Sequence, residues 1–269
     1  MNKLPQDISE KSEKIIKDYI NKRLDFETEH PLGEDVFKIA RKYAIIVKYP
    51  LDEEENDAFL LSDVPSKQGY QRFIFINTSK TMEKQVFATA HELGHILKVY
   101  DEIKDDALDE ERIVNRFAAD LLMPEKLFIP REKEKLIEKK KNNEISFMDF
   151  INIVADAMNY FSTTFDAVVI RFYELGMISY ESATYLISDE LKENVNKILE
   201  QIINENDYKT LLSVTKTKSI DGLDGLLENF EDRGDLPPKA VRLKDKYKVI
   251  TKKDERDNDN DLIKLQEIF

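Results

Sequence analysis

The chain has no cysteine. Disulfide bonds, thiolate metal ligands and cysteine nucleophiles are therefore excluded. No apolar run approaches the roughly 18 residues of a membrane span, so no membrane contact is expected. The opening stretch MNKLPQDISEKSEK is polar and charged, with no sign of a secretory leader, and a cytoplasmic location is the expectation. Basic charge is short as well. Lys and Arg number 41 against 54 Asp and Glu, a formal net charge of −13. Direct nucleic-acid binding calls for a basic surface, so none is expected, and a protein partner with a basic face suits this charge better. No internal repeat is visible. The 269 residues suffice for one domain with a large core, or for one domain and a smaller one.

Histidine is scarce, and two of the three fall in one pentapeptide, His91-Glu92-Leu93-Gly94-His95. On a helix, residues i and i+4 share a face, so His91 and His95 can point at one metal ion. Glu92 lies roughly 100° around the same helix, placed to accept a proton from water rather than to bind the ion. This HExxH spacing is the arrangement of zinc hydrolases. Residues 82–99, MEKQVFATAHELGHILKV, contain no proline and carry apolar residues at helical spacing. Gly94 stands out, since mid-helix glycine costs about 1 kcal/mol against alanine. Its presence predicts close approach of another backbone or of a substrate. The plainer alternative is a pair of ordinary histidines on an amphipathic helix.

A catalytic zinc site takes three protein ligands and leaves a fourth position open. His30 is the only other histidine, so a carboxylate is the natural third ligand. A second helix is predicted from Asp109-Glu110-Glu111, acidic as a helix start prefers, through to Pro124. Glu111, Asn115, Ala118 and Leu122 form one stripe along it, and Ala118 and Ala119 permit close packing. Taken alone, Glu111 reads better as a solvated first-turn glutamate, as most such glutamates are.

The stretches VFATAHELGHILKVY and EERIVNRFAADLLMP together resemble the ImmA/IrrE family of metallo-endopeptidases. The resemblance implies metal ligands at His91, His95 and Glu111 and a catalytic glutamate at Glu92. Asn115, Phe117, Ala118, Leu121, Leu122, Met123 and Pro124 match the second motif; Val114 replaces its usual alanine, and Val99 stands where many members have a further histidine. It also implies one zinc ion, or another divalent metal, and a protein substrate, in this family often a DNA-binding helix-turn-helix repressor. An oxyanion donor is expected, and Tyr70, Tyr100, Tyr160 and His30 are all suitable by chemistry, with none singled out.

The runs AIIVKY (44–49), DAFLLS (57–62) and YQRFIFIN (70–77) predict a three-stranded antiparallel sheet. The last of them is the expected edge for an extended peptide. Residues 1–29 predict an amphipathic helix packed on the core and 131–144 a solvated charged helix and linker, while 147–179 resembles the helical segment that closes the family's domain. The expected fold class is α+β: a zincin-like core with an HExxH helix and a second ligand helix, over residues 1–180. A mostly helical extension, 181–269, follows, with a polar tail whose Leu262–Phe269 end awaits a groove. The leading functional expectation is an intracellular zinc endopeptidase cleaving a regulatory protein. The alternative is a non-proteolytic module of the same fold that sequesters a partner. The sequence does not set the oligomeric state.

Overall fold

A computed structural model of the chain describes residues 4–5, 7–24, 29–52, 56–66, 69–103, 108–140, 144–208, 211–221 and 241–242. Helix α1 (Glu10–Arg23) begins at Ser9, whose hydroxyl accepts from the Ser12 amide, as an N-cap residue should. Its apolar face is as expected: Ile16, Ile20 and Leu24 are buried. The short α2 (Val36–Ala40) leads into β1 (Ile45–Tyr49), β2 (Ala58–Ser66) and β3 (Gly69–Asn77).

The architecture is α+β, with one sheet of order β2-β3-β1-β4, where β4 is Ser219–Ile220. Two details differ from expectation. The sheet is mixed rather than antiparallel, because β2 and β3 form an antiparallel hairpin while β1 lies parallel on the far side of β3. Alternation puts Ile46 beside Ile74 on the core face in either direction, so apolar spacing carries no information on strand polarity. The edge beside the site is β2, not the 70–77 strand, which is paired on both sides. Buried Asn77 then fixes the turn out of β3. Its Oδ1 accepts from the Leu51 and Ser79 amides, and its Nδ2 donates to the Asp52 carbonyl.

That turn delivers the chain into α3 (Met82–Leu97), which packs across β2 and β3. Helix α3 stops where Lys98 takes a left-handed φ of 54°. Helix α4 (Glu110–Leu122) is capped by Asp109, whose side chain accepts from the Arg112 amide at 2.7 Å. It lies against α3, and the contact explains Gly94: a Cβ there would sit 3.0 Å from Phe117 Cδ1 and 3.1 Å from Val114 Cβ. The close approach is thus made by side chains of the neighbouring helix.

The other face of α4 is held by a buried ionic cluster. Arg116 bonds Asp120 and Glu13, Arg112 bonds Glu174, and Arg171 bonds Asp120. These pairs lock α4 to α1 and to α7 (Phe165–Glu174). Helices α5 (Glu125–Lys139) and α6 (Phe147–Phe161) lie between them in the chain. Helix α5 is less solvated than its charge suggests, since Phe128 and Glu132 are buried on it. Helices α8 (Tyr180–Leu186) and α9 (Asp189–Glu205) follow; α9 packs on α6, and its Leu191, Val195, Leu199, Ile202 and Ile203 are buried. Strand β4 joins β1, so the described part of the 181–269 segment contributes to the same core and sheet. The tail beyond Arg242, including Leu262–Phe269, lies outside the described residues. Among those residues, no helix is long and apolar enough to cross a membrane.

Candidate metal centre

Helix α3 presents His91 and His95 on one face, one turn apart, and α4 brings Glu111 against them. The two Nε2 atoms stand 3.1 Å apart. Glu111 Oε2 lies 3.3 Å from His91 Nε2, and its Oε1 lies 3.4 Å from His95 Nε2. Tetrahedral zinc with bonds of about 2.0–2.2 Å sets its ligand atoms roughly 3.3 Å apart. The two imidazoles and the carboxylate therefore converge at close to the spacing such an ion needs, each Glu111 oxygen facing one histidine. Two imidazoles and a carboxylate also suit zinc among the divalent metals.

The outer nitrogens are engaged as well. His91 Nδ1 meets Asn115 Oδ1 at 3.0 Å, and His95 Nδ1 meets Glu110 Oε1 at 2.8 Å. With an acceptor on each Nδ1, the proton sits there and the Nε2 lone pairs face inward. Burial holds the His91 imidazole below its usual range, which keeps it neutral and ready to ligate. Asn115 belongs to the motif stripe seen in the sequence, but its role on His91 was not legible. Glu110 was read only as helix-start acidity. The available signal was its position one residue from Glu111, about 100° around the same first turn.

Glu92 lies beside these donors, nearly buried at 9% exposure. Burial raises its carboxyl above the ordinary range and Glu111 adds to this, while His95 and the Leu60 backbone amide work the other way. A raised carboxyl is a stronger base once ionised. The Leu60 contact ties the general-base candidate to edge strand β2.

The cleft around the four residues has a volume of about 930 Å³. Its walls are α3, the start of α4, and β2 with Ala58, Phe59, Leu60 and Ser62. Of the oxyanion-donor candidates, Tyr100 lines this cleft. Tyr160 is elsewhere, under the Arg131 guanidinium. His30 is exposed and does not line the cleft, and the Tyr70 side chain is outside the described part. Lys98 also reaches the cleft wall, a cation that sequence reasoning passed over.

The family model of the IrrE N-terminal-like domain matches residues 41–173. That span runs from just before β1 into the last turn of α7 and contains His91, Glu92, His95 and Glu111. No curated protein and no solved structure matches the chain. The matched span, the α+β fold and the cluster of His91, His95 and Glu111 agree with one another, and the chain belongs to the ImmA/IrrE family of metallopeptidases.

Proposed function

We propose that this chain is a zinc endopeptidase of the cell interior that cleaves a specific regulatory protein, a helix-turn-helix repressor of a mobile element, stress or toxin module. The observation that carries the chemistry is the convergence of His91 Nε2, His95 Nε2 and the Glu111 carboxylate, whose two oxygens each approach one imidazole at 3.3–3.4 Å. When bound by these three residues, zinc supplies a water with pKa near 7 and a Lewis-acid centre for the scissile carbonyl. Glu92 accepts the proton released as water adds, and passes it to the departing nitrogen. The edge of β2, unpaired on its outer side among the described residues, aligns an extended peptide along the cleft by strand addition. Tyr100 is our candidate donor to the developing oxyanion, since it lines the cleft and the nearby Asp101 and Glu110 carboxylates raise its hydroxyl above the ordinary range. The net charge of −13 favours a partner with a basic face, as DNA-binding repressors have.

The test compares new protein N-termini in the native host between wild type and Glu92→Gln, with and without DNA damage. A terminus generated only by wild type supports the reading and names the substrate. Identical termini in both strains under every condition would remove proteolysis, and leave sequestration of a partner as the function of the fold.

A further inference from the structure

Away from the metal centre, α5, α6 and α8 enclose an open groove of about 840 Å³. One face of α5 lines it with Lys133, Leu136, Ile137 and Lys140, spaced i, i+3, i+4 and i+7. Phe147 on α6 and Tyr185 on α8 complete its apolar walls. Ile137, Phe147 and Tyr185 are 64%, 38% and 56% exposed, a concentration of large apolar side chains that solvated surfaces normally avoid. Among the described residues, the charged side chains lining the groove are the two lysines, on a chain of net charge −13. A fitting occupant therefore combines an apolar helical stripe with neighbouring acidic charge.

The chain supplies such a segment. Residues 254–261, DERDNDND, hold five carboxylates against one arginine. They run directly into LIKLQEIF, where Leu262, Leu265 and Phe269 take i, i+3 and i+7 positions of a helix. Leu262 lies forty-one positions after Asp221, whose amide bonds the Ile46 carbonyl of β1, a reach on the order of 140 Å when extended. We infer that residues 254–269 dock in this groove, with the apolar stripe on Ile137, Phe147 and Tyr185 and the acidic run beside Lys133 and Lys140. The docking does not depend on the peptidase reading.

The absence of cysteine makes the test clean. In the full chain, Ser182→Cys on the groove wall is paired with Gln266→Cys, and Lys38→Cys with Gln266→Cys serves as control. Docking predicts intrachain disulfide formation about tenfold faster in the first pair, because the bound tail holds a high effective concentration. Adding Lys133→Glu and Lys140→Glu, both exposed and free of core packing, should return the rate to that of the control, as should Leu265→Asp. Equal rates in the two pairs would overturn the inference. So would disulfides that form only between chains, which would give the groove to a second copy, and so would a fast rate untouched by both sets of substitutions.

Discussion

The two histidines of the cleft differ in what holds their outer nitrogens, an amide for His91 and a carboxylate for His95. Removing such a partner typically lowers metal affinity about 10–100-fold. Asn115→Ala and Glu110→Ala should each show a loss of that size in competition with a chromophoric chelator. The thermal stability of the metal-free chain should stay unchanged, and Glu110→Gln should recover part of the loss. Unaltered affinity would mean that the ligands are oriented by packing alone. Glu83 offers a separate test at this scale. Its side chain is buried, one oxygen lacks a partner, and burial raises its carboxyl above the ordinary 4.5. The folded chain thus holds that proton more tightly than the unfolded one. Its stabilising contribution is complete below about 4.5 and is lost as pH rises through the folded value. Glu83→Gln has no such loss, so its melting temperature relative to wild type should climb between pH 4 and pH 7. A constant difference across that range would refute the assignment.

Helix α3 illustrates how one element serves two neighbours. Its HExxH face needs α4 close by, and Gly94 permits that closeness. Gly94→Ala gains about 1 kcal/mol of helix propensity, but the new methyl meets Phe117 and Val114 at 3.0–3.2 Å, and overpacking of this kind costs roughly 1–3 kcal/mol. The steric side should win, with a net loss of stability and weaker metal binding as Glu111 is pushed from His91 and His95. Val114→Ala in the same chain should restore part of both, a non-additivity that a double-mutant cycle will register. Additive effects would show that the methyl is absorbed elsewhere. The sequence made the glycine conspicuous and the two helices plain. That Val114, where the family pattern has alanine, is one of the groups occupying the space was not readable. Such a contact pairs residues twenty positions apart, and no periodicity encodes it.

At the scale of the molecule, described residues after 180 add buried apolar surface to the same core as the candidate site. Five residues of α9 are buried, and each contributes about 1.5–3 kcal/mol. Their sum is on the order of 10 kcal/mol, comparable with the whole net stability of a domain at about 5–15 kcal/mol. A chain ended at residue 180 also forfeits β4, whose Ile220 pairs with Val47. Scanning calorimetry of that truncation should show no cooperative transition near that of the full chain. A transition within a few degrees of the full chain's would demonstrate that residues 1–180 stand alone.

The sequence by itself determined the relation of His91, Glu92 and His95 and the helices that carry the candidate centre. Two imidazoles and a glutamate within five residues have one geometric relation on a helix, and Asp109 and Pro124 mark the limits of the second helix through local hydrogen bonding and ring sterics. Only the tertiary structure decided which strand became the free edge, which acceptors took His91 and His95 Nδ1, and how the 181–221 segment joined the sheet. Each of these depends on residues distant in the chain meeting in space. The forces that select among such meetings, burial and shape, leave no local pattern to read.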